Sequence, residues 1–264
     1  MSENWSWVDD DDSGWVPPSV DTSRPSAARI YDFALGGKDN YPVDREVAAR
    51  IWSVIPDGHH VARANRQFLV DAVEAMAAAG IRQFIDLGTG IPTSPNVHET
   101  ARAIQPDAAV VYVDNDPLVL AHNRALMHGD PLAAVLPHDM RDPASVLDDP
   151  VARQLIDFDQ PIGLLMIAVL HFVDVSAAPH VVERYVYDLP PGSQVAITAV
   201  TSHGIEPGTL DRTLAAYEQV SSRLIFRTRA EVDALFGDLS MVRPLADVYR
   251  SPNMAILGGT AIKP

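Results

Sequence analysis

A glycine-containing turn directly after a short apolar run is the first feature of this sequence that could do chemistry. The run and the turn occupy Phe84–Pro92. Glycine at Gly88 and Gly90 lets the backbone come close to a bound molecule, because a Cβ atom there would occupy the ligand's space. Asp86 and Thr89 add polar groups. A tight strand-to-helix turn without a ligand has a similar composition, so this fragment alone leaves both interpretations open.

A second apolar run, Val110–Val113, ends in Asp114 and Asn115. A carboxylate at the end of the second strand of an α/β sheet can accept hydrogen bonds from both ribose hydroxyls of an adenosine group. The order strand, glycine turn, strand and acid fits two cofactors, a nicotinamide dinucleotide and S-adenosylmethionine. Other residues must distinguish between the two cofactors.

Two departures from the dehydrogenase patterns favour S-adenosylmethionine. A dinucleotide turn needs a third glycine and a helix N-terminus facing the pyrophosphate, whereas this turn continues through two prolines in Ile91–Pro95. A short-chain dehydrogenase also needs a tyrosine four residues before a lysine. Lys38 is preceded there by Ala34, and Lys263 by Gly259. A nicotinamide-dependent oxidoreductase therefore remains the weaker alternative.

Candidate adenine contacts follow the third apolar run, in Leu136–Met140. Asp139 can accept a hydrogen bond from the exocyclic amine, and the backbone N–H of Met140 is available to the ring. The fourth run ends in Ala168, beside the expected methyl group, and then in His171. Ligands bind at this edge of open α/β sheets, so His171 is either a general base near the methyl group or a histidine that satisfies a backbone group.

A pair of glycines, Gly36 and Gly37, lies among aromatic residues in Tyr31–Tyr41. A phosphate-binding loop would need Ser or Thr after the lysine that follows this pair, but Asp39 stands there. Glycines give the backbone freedom, and aromatic rings can shield a sulfonium. The segment is therefore predicted to close over the cofactor, with Tyr31, Gly36 and Gly37 as contacts.

The motifs together resemble the class I S-adenosylmethionine-dependent methyltransferases. More closely, the sequence is similar to the actinobacterial S-adenosyl methyltransferase family once catalogued as a domain of unknown function. The similarity extends from about Pro25 onward and is strongest in Ala28–Pro42, Ala64–Arg66, Gly90–Thr93 and Asp114–Pro117. The resemblance implies the fold and the cofactor, and it leaves the methyl acceptor open.

The elements that must position these residues alternate between strands and helices. A helix is predicted over Ala62–Ala79, and Pro25–Tyr41 is expected to be irregular. The fold class is α/β: a Rossmann-like class I methyltransferase with a seven-stranded, mostly parallel sheet, helices on both faces and an N-terminal extension. A helical insertion is expected over Leu210–Phe236. The predicted strands are Gln83–Leu87, Val110–Val113, Ala134–Leu136, Ile162–Val169, Gln194–Val200, Met241–Tyr249 and Met254–Ile262.

Composition predicts one domain over residues 25–264, preceded by an acidic arm or tail over residues 1–24. The chain has no cysteine, which excludes thiolate catalysis and Cys-ligated metal sites. Its nine histidines lack metal-ligand spacing, so no metal site is expected.

The net charge of −15 argues against nucleic acid and anionic membranes as partners. We therefore expect a small-molecule substrate. Because no apolar run approaches the roughly 20 residues needed to span a bilayer, we expect a cytoplasmic methyltransferase, either a monomer or a homodimer. A non-catalytic S-adenosylmethionine sensor or scaffold is the alternative, and it predicts cofactor binding without an accessible acceptor pocket.

Overall fold

The computed structural model describes residues 21–218 and 220–264. A single seven-stranded sheet forms the centre, with the strand order β3-β2-β1-β4-β5-β7-β6. Most of the predicted acidic arm lies outside the described residues. The strands are β1 (Gln83–Leu87), β2 (Ala109–Val113), β3 (Ala133–Leu136), β4 (Gly163–Ile167), β5 (Gln194–Val200), β6 (Ser240–Arg250) and β7 (Ala255–Ile262).

The first five strands are parallel, and β7 pairs antiparallel with both β5 and β6. The predicted mostly parallel sheet is confirmed. All residues of β1, β2, β4 and β5 are buried, which is typical of parallel strands covered on both faces. The carboxyl ends of β1 to β5 consequently meet at one edge, where the sheet order reverses between β1 and β4.

Ten α-helices in the described residues surround the sheet. The N-terminus of α5 is capped by Asp116, which accepts a hydrogen bond from Leu118 N at 2.9 Å, and Pro117 occupies the first helical position. The helices are α1 (Ala27–Leu35), α2 (Pro42–Val54), α3 (Gly58–Ala78), α4 (Val97–Arg102), α5 (Pro117–Leu126), α6 (Pro143–Leu147), α7 (Pro150–Leu155), α8 (Ala178–Asp188), α9 (Pro207–Tyr217) and α10 (Arg229–Asp233).

Two expectations about local structure are wrong. The segment expected to be irregular contains α1, whose amphipathic face buries Ile30 and Ala34 and which ends only at Gly36, in the left-handed conformation. Arg29 of α1 also pairs with Asp44 of α2 at 2.8 Å, both side chains being buried. In the expected helical insertion, α9 ends at Tyr217, and the chain between α9 and α10 is not helical in its described residues.

The core consists of four apolar clusters: two lie against the sheet faces, a third lies beside the sheet, and a small fourth contains Ile91, Leu118 and Val119. This third cluster joins α1, α2 and α9 to the ends of β5 and β7. We call six of its cavity-lining members the apolar wall: Ile51, Trp52, Phe172, Val200, Leu224 and Ile256. In the described part of the chain, no helix combines the length and hydropathy needed to cross a membrane.

Candidate active site

A cavity of about 900 Å³ opens at the carboxyl edge of the parallel strands. It extends from the loops after β1, β2 and β3 past the end of β4 to the apolar wall. The structure brings together most of the residues that the sequence places at the cofactor. These are Tyr31, Asp86, Gly88, Thr89, Gly90, Asp114, Asn115, Asp139, Met140 and Ala168, and His171 lies with them.

The glycine turn after β1 forms one end of this cavity. Gly88 and Gly90 have φ angles of +67° and +69°, which side-chain-bearing residues rarely adopt. A Cβ atom on Gly88 would lie 2.4 Å from Val169 Cγ2, whereas a Cβ atom on Gly90 would meet no atom within 4 Å and would point into open space. Gly88 N donates to Val113 O at 2.8 Å, which fixes the turn against β2.

Two carboxylates flank the turn. Asp86 is only 3% exposed, and burial raises its pKa to about 6, although a hydrogen bond from Thr89 and the charge of Arg66 act in the opposite direction. Asp114 accepts hydrogen bonds from Gly90 N at 3.0 Å and from Asp116 N at 2.9 Å. Asp114 therefore holds the glycine turn in place, and each of its oxygens keeps a lone pair for a ligand.

The residues after β3 bring a second polar group to the cavity. Asp139 forms an ion pair with Arg141, whose hydrogen bonds lower the pKa of this carboxyl. Asn115 Nδ2 donates to Asp139 Oδ2 at 3.5 Å, which connects the predicted ribose and adenine contacts. Met140 is buried, and its carbonyl accepts a hydrogen bond from Tyr185 Oη at 3.1 Å.

A chain of hydrogen bonds fixes the end of β4. Ala168, with a φ angle of +57°, donates from its backbone N–H to Thr198 Oγ1 at 2.8 Å. Thr198 donates to Asn65 Oδ1 at 2.7 Å, and Asn65 Nδ2 donates to Tyr31 Oη at 3.0 Å. Tyr31 Oη in turn donates to Ala62 O at 3.1 Å. The chain therefore connects β4, β5, α3 and α1 around the cavity.

His171 lies in the short 3₁₀ helix that follows β4. The residue is 7% exposed, and its Nδ1 atom is buried without a hydrogen-bond partner among the described residues. Burial, and to a smaller extent the charge of Arg227, lowers the pKa of His171 to about 3. The imidazole is therefore neutral at physiological pH and a weak base, which suits hydrogen bonding better than proton abstraction.

Gly36 and Gly37 do not line this cavity. Gly36 ends α1, and the N–H of Gly37 donates to Asp32 O at 2.9 Å. A Cβ atom on Gly37 would lie 1.9 Å from Asp32 Oδ1, so this glycine lets the Asp32 carboxylate approach. The two glycines thus make a tight helix end beside the site, and Tyr31 alone of the three predicted contacts from this segment reaches the cavity.

Several cavity residues were not identified as contacts from the sequence. Asn65 and Arg66 come from α3, and the Nε atom of Arg66 is buried without a partner among the described residues. The tripeptide Ala64–Arg66 belongs to the motifs that resemble the family, which is the signal that could have indicated them. Tyr217 and Arg223 also line the cavity, and no sequence motif marks them.

The comparison with known families identifies the chain. A family model described as S-adenosyl methyltransferase matches residues 13–249. The chain belongs to this family. It is accordingly an S-adenosylmethionine-dependent methyltransferase, as the sequence predicts. Among curated proteins, none matches the chain.

Solved structures agree with this assignment. The methyltransferase is 39% identical to a DUF574 family protein from Streptomyces avermitilis MA-4680, with a TM-score of 0.87 over 92% of this chain and 99% of that one. A candidate methyltransferase from Thermobifida fusca YX is 37% identical, with a TM-score of 0.86 over 95% of this chain and 99% of that one. Magnesium protoporphyrin IX methyltransferase from Synechocystis PCC 6803, at 10% identity and a TM-score of 0.53 over 89% and 90% of the two chains, shares the fold.

The cavity fits the cofactor of this family. A cationic sulfonium and ammonium suit an end lined by the carboxylates of Asp86 and Asp114. The guanidinium of Arg66, whose charge acts on Asp86, lies beside them, and its Nε atom is buried without a partner among the described residues. Gly90 leaves open the space that a Cβ atom would fill.

Proposed function

We propose that the enzyme transfers a methyl group to a small molecule held in the single cavity formed by the β4 end, the glycine turn and the apolar wall. The observation that carries this proposal is the continuity of that cavity, from the acids after β1, β2 and β3 to the apolar wall. S-adenosylmethionine supplies an electrophilic methyl group when it is bound. The sensor alternative requires a site without room for an acceptor, and no feature of the cavity favours it.

Within this proposal, three strand ends hold the cofactor. Asp86, with the turn Gly88, Thr89 and Gly90, faces the methionine part, and Arg66 binds its carboxylate. Asp114 and Asn115 accept and donate at the ribose. Asp139 and the backbone of Met140 face the adenine, and Ala168 and Tyr31 lie beside the methyl group.

The residues of the chain promote methyl transfer chiefly by holding the two reactants in position. Holding two reactants at attack distance in a dry site supplies about 7 to 11 kcal/mol of a barrier in favourable cases. The hydrogen-bond chain from Ala168 to Tyr31 makes the walls of the site rigid, and the apolar wall excludes water. His171 orients the acceptor with its neutral imidazole.

The composition and the comparisons support the remaining parts of the proposal. The net charge of −15 and the absence of cysteine suit a cytoplasmic enzyme that does not bind nucleic acid. The two similar structures from Streptomyces avermitilis and Thermobifida fusca support an actinobacterial source.

Calorimetric titrations with S-adenosylmethionine, S-adenosylhomocysteine and NAD test the cofactor site. We expect the first two to bind and to stabilise the fold by about 2.7 kcal/mol at a hundred times the dissociation constant. Mass spectrometry of pooled small-molecule extracts incubated with methyl-labelled cofactor then detects transfer. Binding without transfer to any small molecule, together with transfer to protein, would contradict the proposal.

A further inference from the structure

The cavity has two ends with different chemistry, because of the order of the strands. β1, β2 and β3 lie on one side of β4, and β5 and β7 lie on the other. The side of β1 to β3 carries the carboxylates Asp86, Asp114 and Asp139. The other side carries the apolar wall. We call this second side the acceptor end, a name that rests on the proposed function.

Charge is distributed unequally between the two ends. Among described residues that line the cavity from α2, α9, residues 220–225 and β7, Arg223 is the one charged side chain; Asp174, which follows the 3₁₀ helix that carries Phe172, also lines the cavity. Arg223 lines the cavity and is exposed, and it forms no ion pair with a described residue. Nearby, Arg227 is fully buried, and its Nε and Nη1 atoms have no hydrogen-bond partner among the described residues.

The polar groups at the acceptor end can donate hydrogen bonds. Tyr217 keeps part of its surface toward the cavity, and burial raises its pKa to about 12, so that its hydroxyl stays protonated at physiological pH. His171 carries one N–H in its neutral form. The backbone N–H of Ile225 donates to His171 O at 2.9 Å, which holds the Arg223 segment beside the 3₁₀ helix.

We propose that the methyl acceptor is a small, ring-bearing oxyanion such as a carboxylate, whose rings lie against the apolar wall and whose anionic group binds Arg223. An unpaired guanidinium beside an apolar surface is the arrangement that binds a carboxylate, because arginine donates two parallel hydrogen bonds to its oxygens. A cationic acceptor would meet the same positive charge. Trp52 and Phe172 provide aromatic surface for the rings.

Three probes with one ring system and different charges test this inference: 2-naphthoate, 2-naphthamide and 2-naphthylmethylamine. Each is titrated by calorimetry into the enzyme saturated with S-adenosylhomocysteine. We expect 2-naphthoate to bind at least tenfold more tightly than the amide, and the amine to bind most weakly. Equal affinities for the three probes, a preference for the amine, or no binding of any probe would overturn the inference.

The variant Arg223→Gln identifies the group responsible. It should weaken 2-naphthoate binding about tenfold and change 2-naphthamide binding less than twofold. Arg50→Gln is the matched control, because Arg50 is exposed on α2 and does not line the cavity. An unchanged affinity of Arg223→Gln for 2-naphthoate overturns the assignment to Arg223. Binding of S-adenosylhomocysteine is measured first in each titration, so that loss of the cofactor site, which would contradict the proposed function, is distinguished from loss of anion selectivity.

Discussion

Cofactor affinity should depend on pH through Asp86. Burial raises the pKa of this carboxyl to about 6 in the free enzyme, so that about 90% of it is ionised at pH 7 and about 10% at pH 5. The proposed partner is the ammonium of the methionine part, and an α-amino group stays mostly protonated over this range. If only the ionised carboxylate pairs with it, affinity falls about tenfold from pH 7 to pH 5, or about 1.4 kcal/mol.

Calorimetry with S-adenosylhomocysteine at pH 5, 6 and 7 measures this dependence. The direction of this pH dependence follows from the free enzyme. A raised carboxyl pKa favours the protonated form, so binding a cation must release a proton near pH 6, and affinity falls as the pH falls. Asp86→Asn should bind more weakly at pH 7 and should have a smaller slope, because Asp114, whose pKa burial also raises, remains in the cavity. Asp139→Asn is the matched control, because Arg141 holds the pKa of Asp139 low, and this variant should keep the slope.

His138 also lines the cavity, where its Nε2 atom lies 2.7 Å from Asp149 Oδ2. His138→Gln is therefore a second control and should retain the tenfold change. An affinity that stays constant between pH 5 and 7 in the wild type would refute the reasoning, as would an unaltered slope in Asp86→Asn.

Three further predictions concern the same cavity. Asp114→Asn should weaken cofactor binding tenfold or more in calorimetry, because the amide cannot accept at both positions, and a change within twofold in a folded variant would remove Asp114 from the ribose site. Thr198→Val should lower the free energy of unfolding in urea by about 2 to 3 kcal/mol, since Asn65 Oδ1 and Ala168 N lose their partner; an unchanged midpoint would show that the hydrogen-bond chain is not stabilising. His171→Ala should lower turnover while cofactor affinity stays near wild type in calorimetry, and loss of cofactor binding would instead make His171 structural.

The central strands of the sheet were predictable because they are buried on both faces. β1 and β5 have the predicted bounds, since each apolar run ends where polar residues follow. β4 ends at Ile167, although the apolar run continues to Val169. Hydropathy carries no information about where the hydrogen bonds between neighbouring strands end. α1 was missed because its glycines at positions 36 and 37 indicated a loop, whereas they end a helix.

The candidate site also contains residues that the sequence predicts and residues that it does not. Asp86 lies one residue before the end of β1, and Asp114 and Asp139 follow β2 and β3. Topology alone brings these strand ends together at one edge. Arg66 and Tyr217 lie on helices, and their approach to the cavity depends on how α3 and α9 pack. A helix has several faces, and tertiary contacts select the one that meets the site. The strand-end carboxylates that line the cavity were therefore predictable from the sequence, and the helix residues that line it were not.

The hydrogen-bond chain beneath Ala168 has a direction that its two ends impose. The N–H of Ala168 can only donate, and the carbonyl of Ala62 can only accept. Every proton between them must point the same way, so the amide of Asn65 has one permitted orientation, with oxygen toward Thr198 and nitrogen toward Tyr31. Aspartate has the same shape, yet its ionised form offers no donor to Tyr31. The fold thus distinguishes two isosteric side chains at position 65 by the placement of hydrogen atoms.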